Sequence, residues 1–142
     1  MITREDYFTA LDGTRRDVEY VDDLNPLIEQ NAEVTVERTN LLLSRYVEST
    51  ADDQLRRVNS GWRPPEVNAG TAGASPTSRH MTGEAIDLGD ADGELDDWLM
   101  TEVGTNALID IGLWHEHPRD TPGWAHVQTV PPRSGHRHFF AK

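Results

Sequence analysis

The apolar positions of this chain fall at helical spacing in some stretches and alternate in others. Residues 3–11 fit a short helix. Pro26 opens a second helical stretch that sets Leu27 and Ile28 on one face, and Val36, Leu43 and Val47 fit a helix over 34–49 with Thr39 and Asn40 on its flank. Asp52 and Asp53 end that pattern ahead of a strand at 55–60. Residues 68–77 are small and turn-rich and read as a loop. A strand follows at 84–88, then a helix N-capped by Asp92. That helix places Leu95, Trp98 and Leu99 on one face, with Glu94 and Asp96 near its positive end. Strands at 111–116 and 124–130 complete the set. The expected fold is α+β, a small antiparallel sheet flanked by helices. It forms one compact domain, in which residues 1–34 are an N-terminal helical extension of the 35–142 unit.

The chemistry concentrates where that loop meets two of the strands. Ser78-Arg79-His80-Met81-Thr82-Gly83-Glu84-Ala85-Ile86-Asp87 is followed much later by Trp124-Ala125-His126-Val127-Gln128. A strand alternates its side chains between faces, so Ala85 and Asp87 share one face and Ile86 takes the other. Gly83 lets the chain turn between His80 and that strand. Trp124, His126 and Gln128 share one face, while Ala125 and Val127 go to the core. Adjacent strands therefore present Asp87 and His126 to one point, with His80 arriving from the preceding loop. Two imidazoles and one carboxylate suit a catalytic zinc, which keeps its fourth position for water. Such a water is acidified to a pKa of about 7, making hydroxide available at neutral pH. Asp90 and Asp92 lack the other loop ligands and the closing glutamate of a calcium site.

The pattern Ser-x-His-x-x-Gly-x-Ala-x-Asp, filled by Ser78, His80, Gly83, Ala85 and Asp87, resembles the signature of the zinc D-alanyl-D-alanine carboxypeptidases and their murein endopeptidase relatives, which share a fold with the hedgehog signalling domain. Ser60-Gly61-Trp62-Arg63 resembles the family's Ser-Gly-Tyr-Arg segment, and Trp124-x-His126-Val127 its last zinc-bearing strand. The resemblance covers roughly residues 35 to 130. It implies a zinc metallopeptidase domain acting on a cell-wall stem peptide or crosslink, with His80, Asp87 and His126 on zinc. It also implies that Arg63 lies beside the metal, where it stabilises the developing oxyanion or binds a carboxylate. In many relatives the general base is an acid three residues before the last histidine, and here that position is Gly123. Other relatives bring the base from a neighbouring loop. The candidates are Glu116, at the end of the apolar run Ile111-Gly112-Leu113-Trp114, and Asp120, the alternative base, in a loop. His115 and His117 fall near the site, where one of them can hydrogen-bond the transition state. Trp114 and Trp124 read as core or pocket wall, and His136 and His138 as surface cover in a basic tail.

Composition narrows the setting. At 142 residues there is room for one domain with its own core and none for an added wall-binding module. Without cysteine, any metal must use histidine and carboxylate. The N-terminus lacks the apolar stretch of a signal peptide, and no run approaches a membrane span. Synthesis in a host cytoplasm is then expected, with a virus as carrier and the protein virion-associated or released at lysis. Thirteen basic against 25 acidic residues give −12, and Lys142 is the one lysine. That balance disfavours nucleic acid, which needs clustered Lys and Arg. It fits either an ordinary acidic surface or adaptation to high salt, where screening removes the repulsion. Some extreme halophiles lack murein. The alternative function is accordingly a non-catalytic virion component that keeps the fold and binds other virion proteins.

Overall fold

The computed structural model describes residues 1–139. Among these, the helices are α1 (Arg4–Phe8), α2 (Arg16–Glu19), α3 (Pro26–Thr50), α4 (Pro65–Ala69), α5 (Glu94–Leu99) and α6 (Glu102–Ile111). The strands are β1 (Val58–Ser60), β2 (Ala85–Gly89), β3 (Trp114–Glu116), β4 (Trp124–Gln128) and β5 (His138–Phe139). The fold is α+β, as the hydrophobic pattern implies, with a five-stranded sheet ordered β1-β2-β4-β3-β5.

The sheet is mixed rather than purely antiparallel. β1, β2, β4 and β3 pair antiparallel, but β5 lies parallel to β3 through His115↔His138 and Glu116↔Phe139. After β4 the chain turns through Pro131 and Pro132 and comes back along the free edge of β3 in the direction of β3 itself. The tail expected only to cover the surface therefore supplies an edge strand.

Helix α3 begins at Asn25, whose Oδ1 accepts from Ile28 N at 2.9 Å, with Pro26 in the first turn. It runs without a break to Ala51, which takes a left-handed conformation at φ 61. The two helical stretches expected around residues 26 and 34–49 are thus one. Its buried stripe is Ala32, Thr35, Thr39, Leu42 and Tyr46, not the face through Val47, which stays 37% exposed. Thr35 is tolerated inside because its hydroxyl meets Asn31 O at 3.0 Å and Gly83 O at 2.7 Å.

Helix α6 occupies a stretch with no expected helix, and β3 starts at Trp114 rather than residue 111. Thr101 caps α6 through Gly104 N, and Gly112 ends it at φ 90. Gly104 sits inside because a Cβ there would come within 2.1 Å of Trp98 O, so α5 and α6 touch backbone to backbone. At α5 the N-cap position is Gly93, one residue beyond Asp92. Asp92 still accepts from Glu94 N at 3.1 Å, while Asp90 accepts from Leu95 N and Asp96 N. Asp90 is itself held by the buried guanidinium of Arg56 at 2.7 Å. Breaking one side of such a buried pair costs about 3–5 kcal/mol.

One sheet face is the core. Ile86, Leu88, Ala125, Val127 and His115 point to it and are fully buried, packed with Leu42, Leu95, Leu99, Leu108 and Leu113. Each buried leucine contributes about 1.5–3 kcal/mol through removal from water. Tyr7 and Phe8 of α1 join the same core. Among the described residues no helix is long and apolar enough to cross a membrane.

Candidate metal centre

Parity and register build the opposite face. Asp87 lies directly across from His126 in the β2/β4 ladder, and Trp114 across from Gln128 in the β3/β4 ladder. Directly paired residues share a face, so Asp87, His126, Gln128 and, two residues after Trp114, Glu116 all project to the side away from the core.

His80 reaches this face from a 3₁₀ turn, Arg79–Thr82, capped by Ser78 Oγ on His80 N at 3.2 Å and ended by Gly83 at φ 78. The turn is pressed against α3. A Cβ on Gly83 would come within 2.8 Å of Ile28 O, and Asn31 Nδ2 donates to Thr82 O at 3.0 Å. His80 is 1% exposed, and its Nδ1 lies 2.8 Å from Gly61 O. A carbonyl only accepts, so Nδ1 carries the hydrogen and Nε2 keeps its lone pair. That Nε2 faces Asp87 Oδ2 at 3.2 Å but has no aligned hydrogen-bond partner.

His126 turns Nδ1 to Asp87 Oδ1 at 2.8 Å and Nε2 to Gln128 Oε1 at 2.9 Å. The rings of His80 and His126 stand 5.2 Å apart. One donor atom from each of His80, Asp87 and His126 lies within 4.8 Å of the others, a buried group that can hold a metal ion. The donor set is two nitrogens and a carboxylate oxygen. Each imidazole is tied at its far nitrogen to a carbonyl acceptor, the arrangement that orients metal-ligating histidines. An orphaned lone pair at His80 Nε2 completes the fit. No second convergent group of this kind occurs among the described residues.

The electrostatics follow from this crowding. Burial alone would raise the Asp87 carboxyl, but the neighbouring imidazoles of His80 and His126 hold it well below the usual carboxylate range. Burial pushes His80 down, opposed by Asp87. At His126 burial is outweighed by the hydrogen bond and charge of Asp87, with Glu116 adding to them, and the imidazole is pushed up to about 9.

The other expected residues are placed around the group. Arg63 follows Trp62, whose indole donates to Met81 O at 3.0 Å, and Arg63 N donates to His80 O at 3.0 Å. Its side chain is half-buried and its Nε is buried without a hydrogen-bond partner; burial pushes the guanidinium down, opposed chiefly by the charge of Asp87. Burial raises the Glu116 carboxyl, partly offset by His126, and Asp87 and Asp120 push in the same direction as burial. Asp120 ends a 3₁₀ turn, Pro118–Asp120, rather than lying in an irregular loop, and its Oδ2 is buried with no hydrogen-bond partner. Gly123 stands at φ 91 in the turn that starts β4, a conformation an acidic residue adopts only with strain.

Two histidines differ from expectation. His115 points to the core face, away from Asp87 and His126. Its Nε2 meets Asp96 Oδ1 at 2.6 Å and its Nδ1 meets His138 Nδ1 at 3.0 Å. His138 is half-buried rather than a surface residue, and its Nε2 contacts Thr105 Oγ1 at 2.8 Å. Alternation along β3 decides this, since Glu116 and His115 cannot share a side. Trp114 and Trp124 are half-buried, and Trp114 stacks under the Arg137 guanidinium at 4.2 Å.

Three further residues support these side chains. Gly61 gives the carbonyl that fixes His80, and a Cβ there would fall 1.9 Å from Tyr7 O. Tyr7 also donates its hydroxyl to Ala85 O at 2.8 Å, bracing β2. Gln128 orients His126, and the signal for it is its position two residues along the same strand face.

No family model, curated protein or solved structure matches this chain.

Proposed function

We propose that this chain is a zinc-dependent peptidase of the D-alanyl-D-alanine carboxypeptidase and murein endopeptidase type, hydrolysing a peptide bond of a cell-wall stem peptide or crosslink. The observation that carries the reading is the convergence of His80, Asp87 and His126, with the far nitrogen of each imidazole anchored to a carbonyl. The substrate class rests on the motif from Ser78 to Asp87 and on Ser60-Gly61-Trp62-Arg63.

His80, Asp87 and His126 would hold the ion. A zinc ion bound there supplies a Lewis acid for the scissile carbonyl and an acidified water for attack. Glu116 takes the proton from the attacking water. Burial lifts its proton affinity toward that of a working base, and it shares the sheet face of the ligands. It then returns the proton to the leaving amine. Arg63, with a buried and unpartnered Nε, donates to the oxygen on which negative charge develops. Asp120 is the alternative base, a carboxylate whose charge acts on Glu116 and whose Oδ2 lies 3.9 Å from Arg119 Nε.

The net charge of −12 and the single lysine support an origin in high salt, and a viral carrier is part of the same reading. A second reading, a non-catalytic virion component, draws on Gly123 at the position where many relatives carry the base. Incubation of the zinc-loaded protein with purified sacculi, in dilute buffer and in multimolar salt, separates the two. Release of new amino termini or free D-alanine supports the peptidase. Intact sacculi under both conditions, with zinc bound, favour the inert component.

A further inference from the structure

His126 has two ring nitrogens, and a metal can use Nδ1 only if the hydrogen of the neutral ring sits on Nε2. The chain leaves no freedom in that choice. Gln128 is 5% exposed, and its amide is pinned at both ends. Gln128 Nε2 donates to Val130 O at 2.9 Å, and a backbone carbonyl can face only the amide's NH2 side. The amide oxygen is thereby turned to His126 Nε2 at 2.9 Å, where it can only accept. Nδ1 is left facing Asp87 at 2.8 Å. The cross-strand pairs of Gln128, to Ala85 on β2 and Trp114 on β3, hold its backbone centrally in the sheet. The same logic acts on His80 with one fewer step, because Gly61 O takes the Nδ1 hydrogen directly.

We propose that Gln128 is a positioning residue that fixes the His126 tautomer, so that the Nδ1 lone pair is presented to the metal. This rests on the metal-site reading above. A backbone carbonyl at Val130 is, through one side-chain amide, the origin of the ligand's orientation. Outer-shell partners of this kind are worth about 10–100-fold in metal affinity.

The test compares zinc affinity, by competition with a chromophoric chelator, in the parent, Gln128→Met and Gln128→Glu. Methionine keeps the length of the side chain and removes the acceptor, whereas glutamate keeps an acceptor. Gln128→Met is expected to lose about 10–100-fold in affinity, and Gln128→Glu to stay within a few-fold of the parent. Long-range 1H–15N spectra of the zinc-loaded parent should show the His126 ring hydrogen on Nε2, a readout that needs no variant to fold. A ring hydrogen on Nδ1, an unchanged affinity in Gln128→Met, or an equal loss in both variants overturns the assignment while leaving the metal site standing. A parent that takes up no zinc overturns both.

Discussion

Asp87 and His126 face each other across the β2/β4 ladder, and Oδ1 of the one lies 2.8 Å from Nδ1 of the other. The second carboxylate oxygen is turned to His80 Nε2 at 3.2 Å, so one acid addresses two imidazoles, an oxygen for each. A cation seated among them would take the place of a shared proton.

The parent protein should carry roughly one zinc per chain, the three-ligand stoichiometry. Metal analysis of dialysed His80→Ala and His126→Ala should find most of it gone. Full occupancy in both variants would remove the site assignment. Because the ligands join distant segments, chelation should lower the melting temperature of the parent and leave that of the variants unmoved.

Stability of the metal-free protein should fall on both sides of about pH 6.5, the ordinary histidine value. His126 is pushed up to about 9, so its stabilising proton is fully held below about 6.5 and lost as pH rises through 9. His138 is pushed down to about 4 by burial, with His115, His117 and Arg137 adding to it. The unfolded chain takes that proton first, so stability drops as pH falls from about 6.5 toward 4. Urea midpoints across pH 4 to 9 read both limbs, and His138→Gln should flatten the acid one. Zinc affinity should climb between about pH 6.5 and 9 as the His126 proton leaves more easily.

Glu116→Gln keeps the side chain's size but cannot accept the water's proton. Cleavage of crosslinked stem peptides should fall by about 10²–10⁴ with zinc content near that of the parent. Asp120→Asn should cost far less. The reverse ranking transfers the base to Asp120.

Gly61→Ala places a methyl 1.9 Å from Tyr7 O, a clash that backbone must absorb. Overpacking of this sort costs about 1–3 kcal/mol or more. Since the Gly61 carbonyl also orients His80, zinc affinity should drop together with the urea midpoint. A stability loss with unchanged affinity would separate the two roles.

If the acidic balance reflects high salt, the melting temperature should rise between dilute buffer and molar potassium chloride, as repulsion is screened. A flat or falling curve counts against a halophilic origin.

The convergence of His80, Asp87 and His126 was legible in the sequence because strand alternation ties Asp87 and His126 to faces, and their ladder pairing keeps those faces common. Other parts were hidden by residues whose role is set by contacts. Thr35 and Thr39 sit on the buried face of α3, so its stripe does not look apolar. Gly104 lies inside α6 because Trp98 O is packed against it, a contact no local pattern shows. His138 looks like tail until β5 brings it back to His115, and a two-residue strand leaves no periodicity to read.

Tyr7 touches Gly61 with its carbonyl and Ala85 with its hydroxyl, which gives α1 an unusual place in time. It precedes both of its partners along the chain, and each is translated well after it. The helix can be seated only once Gly61, whose carbonyl meets His80, and Ala85 of β2 have emerged. An ion bridging His80, Asp87 and His126 would be captured only after that seating has become possible, because His126 follows both partners of Tyr7 along the chain.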